Sequence, residues 1–142
     1  MIALFDVNVL VALFDAAHVH HAPAQAWLKR HRSRGWATCP ITQNGCVRVL
    51  SQPRYPGALP VTEIARRLRV VTGAPDHTFW PDSISVCDPR LFAHDLVLSP
   101  KALTDVYLLA LATANGGCLV TFDRTVPLHT AQGATARNLV AL

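Results

Sequence analysis

Charge is scarce in this sequence: only 15% of its 142 residues are Asp, Glu, Lys or Arg, whereas 51% are hydrophobic. That balance excludes a disordered or fibrous chain. The length suits one domain, residues 1–142, able to bury roughly two thirds of its unfolded surface. A long apolar run is missing too. Mean hydropathy is +0.26, yet the longest charge-free stretch, Val106 to Phe122, is interrupted by Asn115-Gly116-Gly117. A membrane-spanning helix needs about 20 continuous apolar residues, so no membrane span is expected. The opening Met1-Ile2-Ala3-Leu4-Phe5-Asp6 carries no basic leader and meets an acid before a signal-peptide core could form, which predicts a cytoplasmic protein. Cys39, Cys46, Cys87 and Cys118 include no Cys-x-x-Cys pair. Neither a zinc ribbon nor a dithiol redox motif is indicated, and buried reduced thiols are expected. Repeats, linkers and low-complexity tracts are absent, and Glu63 is the only glutamate.

What charge there is has a pattern. The formal net charge is +4, and seven of the 13 basic residues fall in two short stretches, Lys29-Arg30-His31-Arg32-Ser33-Arg34 and Arg66-Arg67-Leu68-Arg69. Such clusters suit a polyanion, although two solvated helix faces would carry the same count.

Apolar periodicity orders the chain. Ile2 to Phe5 reads as a strand ending at Asp6, followed by a buried helix from Asn8 to Phe14. An amphipathic helix is expected near 22 to 31, then a strand Trp36 to Cys39 stopped by Pro40, and a helix Thr42 to Leu50. Pro53 to Pro60 reads as a loop, and Thr62 as the cap of a helix from Glu63 to Val71. Thr78 to Trp80 and Ser83 to Cys87 are expected to be extended, with a helical turn at Arg90-Leu91-Phe92. Leu103 to Ala114 is apolar almost all round and so central, capped by Thr104 or Ser99 and stopped at Gly116-Gly117. Cys118 to Phe122 reads as a buried strand delivering Asp123, and Ala136 to Ala141 as the last strand. Strands and helices alternate. The expected fold is therefore a three-layer α/β/α sandwich around a mostly parallel sheet.

Ligands of open parallel sheets bind beyond the carboxyl ends of the strands, where Asp6 and Asp123 fall, and Asp105 opens the central helix. Three carboxylates converging on one edge repel one another unless a cation is present, and hard oxygen ligands favour magnesium or manganese. Each aspartate also has an ordinary use, as a helix cap, a first-turn acid or a turn residue. Their placement at one expected edge favours the metal site.

At these residues the chain resembles the PIN-domain nucleases, most closely the VapC-type toxins of bacterial toxin-antitoxin pairs. The matching motifs are Leu4-Phe5-Asp6-Val7-Asn8-Val9-Leu10, Pro40-Ile41-Thr42-Gln43-Asn44-Gly45 leading into Val47-Arg48-Val49-Leu50, Leu103-Thr104-Asp105, and Leu119-Val120-Thr121-Phe122-Asp123. The resemblance implies that Asp6, Asp105 and Asp123 are metal ligands, magnesium in the first instance, with Asn8 and Thr104 supporting them. PIN toxins generally place a glutamate after the Thr of the second motif, where this chain has Gln43. A carboxamide can bind a metal through oxygen but brings no negative charge and cannot act as a base.

The reaction implied is hydrolysis of RNA phosphodiester bonds. Arg66, Arg67 and Arg69, with the stretch Lys29 to Arg34, would hold the RNA backbone beside the carboxylates, and single-stranded loops would be the target. A small antitoxin and a homodimer of toxin subunits are further implications of the resemblance. Trp80 is read as a core or lid aromatic before a base-stacking one. His18, His20 and His21 lack the spacing of a helical zinc pair, so surface or capping roles are expected, and His77, His94 and His129 are isolated. Two rivals remain. Phe5-Asp6-Val7-Asn8 resembles the Asp-x-Asp segment of haloacid-dehalogenase phosphatases, but Asn8 removes the second acid and a cap domain is not evident. Gln43 motivates the other, a catalytically weak RNA-binding module.

Overall fold

The computed structural model describes residues 1–93, 95–96 and 99–142; His94 lies outside the described residues. Five short strands, β1 (Ala3–Phe5), β2 (Trp36–Thr38), β3 (His77–Phe79), β4 (Cys118–Thr121) and β5 (Leu139–Ala141), form one sheet in the order β3-β2-β1-β4-β5. Every pairing is parallel. All strands therefore start at one edge of the sheet and end at the other. Among the described residues five α-helices accompany them: α1 (Val7–Phe14), α2 (His21–His31), α3 (Pro40–Leu50), α4 (Val61–Thr72) and α5 (Leu103–Ala114).

Strand side chains alternate between two cores, as the two-residue period requires. Leu4, Ala37 and Leu119 face a cluster built on Val106, Leu108, Leu109 and Leu111 of α5, with Trp80 and Phe92 from the connection before it. Ala3, Phe5, Trp36, Cys118 and Val120 face the opposite way, toward Val9 and Leu10 of α1, Trp27 of α2, Cys46 and Leu50 of α3, and Ile64 of α4. This is the expected three-layer sandwich, with a sheet that is wholly parallel. Among the described residues no helix is long and apolar enough to cross a membrane.

Several local expectations need correction. Pro40 begins α3 instead of merely ending a strand, because its fixed φ suits a first helical turn and its missing N–H is one that turn leaves unpaired anyway. Thr62 is the second residue of α4, not its cap, since Pro60 occupies the cap position. Ser83 to Cys87 forms no strand but bends and turns, anchored by the Tyr107 hydroxyl donating to the Ile84 carbonyl at 3.2 Å. Arg90 to Phe92 makes a turn and a lone bridge from Phe92 to Ala131. Ser99, not Thr104, receives the capping bond, from the Ala102 amide at 3.3 Å at the entrance to α5. Ala136 to Asn138 is a 3-10 turn, so β5 starts only at Leu139. Trp80 is buried in the core, and Cys39, Cys46 and Cys118 are buried free thiols while Cys87 is exposed.

The exit of α5 shows how tightly the central helix is joined to β4. Gly116 adopts φ 66°, its amide bonds the Thr113 carbonyl at 3.0 Å, and the Gly117 amide bonds the Ala112 carbonyl at 2.8 Å. This is a Schellman stop, which needs the left-handed residue that glycine supplies without strain. A Cβ on Gly117 would lie 2.5 Å from the Trp80 ring and 2.6 Å from the Ile2 carbonyl oxygen. The backbone oxygen cannot yield, so Gly117→Ala should cost about 2–3 kcal/mol, read as a lowered urea midpoint at unchanged slope. Gly57→Ala should cost less: no neighbour lies within 4 Å of its Cβ position, and only the positive φ of 75° opposes it.

Candidate active site

Asp6 follows β1 directly and caps α1. Its Oδ1 accepts from the Val7 amide at 2.6 Å, and its own amide donates to the Val120 carbonyl of β4 at 3.0 Å. Its other oxygen, Oδ2, accepts from the Thr121 hydroxyl at 2.9 Å. The same hydroxyl accepts from the Asp123 amide at 3.0 Å. Thr121 thus links the carboxylate leaving β1 to the acid that follows β4. Asp123 is held in turn by Thr125, whose amide and hydroxyl donate to its Oδ1 at 2.7 and 2.6 Å. Asp105 lies in the first turn of α5 and is half-buried.

The charges of these acids act on one another. Burial pushes the Asp105 carboxyl up to about 6, and the charges of Asp6 and Asp123 add to the rise. Burial also raises Asp6, against the lowering from Thr121 and Val7, and Asp123 pushes it further up. Asp123 goes the other way, because the Thr125 hydrogen bonds favour its ionised form and Lys101 attracts it. Like charges brought together at a strand-end edge make a natural cation site. Among the described residues no three His, Cys, Asp or Glu side chains form a ready-made cage. The donor set nonetheless fits a hard divalent ion: all oxygen, all carboxylate, and mutually repelling without it.

The other candidates are placed less uniformly. Asn8 and Thr104 are exposed. Gln43 sits in the opening turns of α3, beyond the end of β2, and its amide nitrogen donates to Thr38 Oγ1 at 2.9 Å. Thr38 Oγ1 is also 2.8 Å from His77 Nε2. Burial lowers the His77 pKa, and a hydrogen bond to the Thr72 backbone opposes that shift. Because that carbonyl can only accept, Nε2 of the neutral ring is left to accept from the Thr38 hydroxyl. The chain runs one way, Gln43 to Thr38 to His77 to Thr72. Its first donor is the Gln43 amide, a role that a carboxylate does not supply.

The two basic stretches are placed differently. Arg66 and Arg67 both bond Glu63, at 3.0 and 2.7 Å, and together pull its carboxyl down to about 2. Arg69 lines a groove between α3 and α4 with Gln43 and Leu68. Lys29 to Arg34 leads into the start of β2, where Arg32 bonds Asp76 just before β3. That is the edge where strands begin, opposite the aspartates; charge counts say nothing of which end of a strand a residue reaches. His21 closes α1 through the Ala12 carbonyl at 2.7 Å, and His20 stacks on Phe122 at 4.5 Å. Sequence reasoning missed the roles of Thr121, Thr125 and Lys101. The first two were visible only as short polar residues flanking Asp123, and Lys101 as the cation four residues before Asp105.

Comparison with known proteins identifies the family. A model described as the PIN domain matches residues 3–129. Ribonuclease VapC44 of Mycobacterium tuberculosis is 47% identical over 142 residues, 100% of both chains. Ribonuclease VapC39 of the same species is 44% identical over 124 residues, covering 87% of this chain and 89% of its own. Among solved structures, M. tuberculosis VapC20, titled a sarcin-ricin loop cleaving toxin, shares the fold at a TM-score of 0.61 and 13% identity, over 87% of this chain and 92% of that one. VapBC2 of Rickettsia felis, bound to a DNA fragment from its promoter, does so at 0.63 and 12%, over 100% and 98%. With a family model spanning β1 to beyond Asp123 and a relative of nearly half-identical sequence along its full length, the chain belongs to the PIN-domain family, among its VapC members.

Proposed function

We propose that this protein is a divalent-metal-dependent endoribonuclease, magnesium being the preferred ion and manganese a substitute, and the toxin of a toxin-antitoxin pair acting in the cytoplasm. The observation that carries the reading is the placement of Asp6 and Asp123 at the strand-end edge, joined through the Thr121 hydroxyl, together with Asp105 in the first turn of α5, whose carboxyl the charges of both push upward. These three would hold the metal. A divalent ion bound there supplies an activated water and offsets charge developing on the phosphoryl oxygens.

The chain's own residues prepare that site. Thr121 and the Val7 amide fix both oxygens of Asp6, so its carboxylate has one orientation. Thr125 keeps Asp123 ionised. The carboxamide oxygen of Gln43 makes no hydrogen bond among the described residues while its nitrogen is held by Thr38, which leaves that oxygen available as a neutral ligand. The preferred substrate is RNA with single-stranded loops, whose bases can be unstacked. A small antitoxin is the proposed partner, and the apolar cleft of about 470 Å³ between α1, α2 and α4, lined by Leu10, Phe14, Leu28 and Val70 with Arg66 and Arg67, is the surface available to it. Toxin subunits are proposed to pair as a homodimer.

Cleavage of a structured RNA, followed by sequencing of the new ends, tests the reading. Asp6→Asn and Asp105→Asn should each reduce the rate by at least about a hundredfold and Asp123→Asn by less, while EDTA stops cleavage and magnesium restores it. Full activity in either of the first two variants removes the site; RNA binding without metal-dependent cleavage in the unaltered protein favours a binding module.

Metal-free stability should carry the same signature. The folded Asp105 pKa of about 6 stands above the ordinary 3.8, so its contribution to stability is fully present below pH 3.8 and is lost as pH rises through about 6. Discounted for its partial exposure, the loss is on the order of 1–2 kcal/mol. Asp105→Asn should therefore raise the metal-free melting temperature at pH 7 and leave it nearly unchanged at pH 4, in melts run with a chelator.

Gln43→Glu adds a fourth negative charge but removes the donor to Thr38. Magnesium titrations of cleavage should show tighter metal binding and a higher rate, and metal-free melting should fall. No change in either measurement would place residue 43 outside the metal shell.

A further inference from the structure

The basic residues at the strand-start edge have no part in the site described so far, and they surround a cavity of their own. A pocket of about 400 Å³ opens there, lined by Ala3, Trp27, His31, Arg34, Cys118 and Arg137 among others, with no carboxylate in its wall. Arg34 and Arg137 are exposed, and neither is held in an ion pair among the described residues. This contrasts with Arg32, Arg66, Arg67 and Arg90, each tied to an acid. Burial raises the Cys118 thiol, and the positive charges of the Met1 amino terminus and of Arg34 at the same pocket oppose that rise.

The pocket wall is preformed. Trp27 stands edge-on to the core ring of Phe5 at 5.8 Å, and His31 stacks on it at 4.3 Å. His31 Nδ1 lies 2.9 Å from the Trp27 carbonyl oxygen, which can only accept, so that nitrogen carries the proton and the ring is fixed with Nε2 outward from the bond. Two unpaired guanidiniums beside a rigid aromatic wall form the combination that grips a phosphodiester backbone: guanidinium forks match phosphate oxygens and aromatic faces carry bases. Cys118 begins β4 and Asp123 follows its end, so about 15 Å of extended chain separates this pocket from the aspartates.

We propose that the pocket bounded by Arg34, Arg137, Trp27 and His31 is an exosite for the RNA backbone, gripping the substrate at the pole opposite the cleavage edge. The assignment of RNA as ligand rests on the ribonuclease reading. The exosite contributes affinity and salt dependence, and acts on RNAs long enough to reach around the sheet, while short loops bind at the aspartates alone.

The test uses the full chain carrying Asp6→Asn, so that bound RNA survives, and reads fluorescence anisotropy of a labelled single-stranded RNA against salt concentration. Adding Arg34→Gln and Arg137→Gln should weaken binding roughly tenfold at about 0.1 M salt and reduce the log-log salt slope by about 1.4, two contacts at about 0.7 each. Arg90→Gln, which removes one charge from the segment packed on the other face of the sheet, should change the slope by less than half as much. Equal slopes in the parent and the double variant, or an equal fall with Arg90→Gln, would overturn the exosite. So would a loss that is the same for a short hairpin as for a long RNA. Cleavage by the protein with Asp6 intact separates the two readings: cleavage with an unchanged slope in the double variant sinks the exosite alone, and a fallen slope without cleavage sinks the nuclease alone. The substituted arginines are exposed, so matching melting temperatures will show that folding is unaffected.

Discussion

One buried carboxylate joins the fold to its chemistry. Asp6 follows β1, caps α1 and takes the Thr121 hydroxyl across from β4, so the central strand pair and the first helix meet on a single side chain. Burying that charge is costly, and two hydrogen bonds do not cancel the cost, since its pKa still lies above the usual carboxylate range. The fold tolerates this because the remaining repulsion, from Asp123 and Asp105, is relieved by anything cationic that binds among them. Ligand binding and stability are then linked: an ion that prefers the folded edge stabilises the fold by the free energy of its binding. Thr121 is what makes the arrangement specific. Its oxygen donates to one acid and accepts from the backbone of the next, so it sets the relation between Asp6 and Asp123 before any ion arrives.

A second constraint acts on the residue at position 43. The bonds from Gln43 through Thr38 to His77 and the Thr72 backbone tie α3 to β2, β3 and the end of α4. Each hydroxyl and ring nitrogen in that series has one donor and one acceptor role to fill, and His77 is held neutral by burial. A carboxylate at position 43 would need Thr38 to donate to it, leaving His77 Nε2 without its donor. The amide is therefore favoured by the packing of the sheet's β3 side, and the chemistry at the opposite end of the same side chain has to work with an uncharged oxygen.

Much of this was legible in the residues, for reasons that can be located. Short apolar runs ending in Asp6 and Asp123, and an all-apolar helix opening with Asp105, specify a parallel sheet and place the acids at its carboxyl edge, because parallel strands buried on both faces read as continuous hydrophobic segments. Pro40 was ambiguous because one fixed φ serves both the end of a strand and the first turn of a helix. Ser83 to Cys87 alternates like a strand yet bends and turns, with the Ile84 carbonyl taken by the Tyr107 hydroxyl, a fact of tertiary packing that no local pattern contains. The Glu63 pairing with Arg66 and Arg67 was legible from i,i+3 and i,i+4 spacing. Thr121 could not be identified as a link, since its partner is 115 residues away in sequence.

The parallel sheet also sorts charge. Connections that leave a strand gather at one edge and connections that enter one gather at the other, so a residue's position before or after its strand decides its pole. Asp6 and Asp123 follow strands. Arg34 precedes β2, Arg137 precedes β5, and the two meet at Cys118 where β4 begins. A polyanion approaching the metal-free protein is repelled from the first pole and attracted to the second, and because about 15 Å of extended chain separates them, more than the Debye length of about 10 Å at 0.1 M salt, each pole acts on it largely by itself. Encounter at the basic pole followed by engagement of the acidic one, once a cation has neutralised it, is then the order that the charge distribution favours. The order of strands and loops along the chain fixes that asymmetry before any side chain is packed.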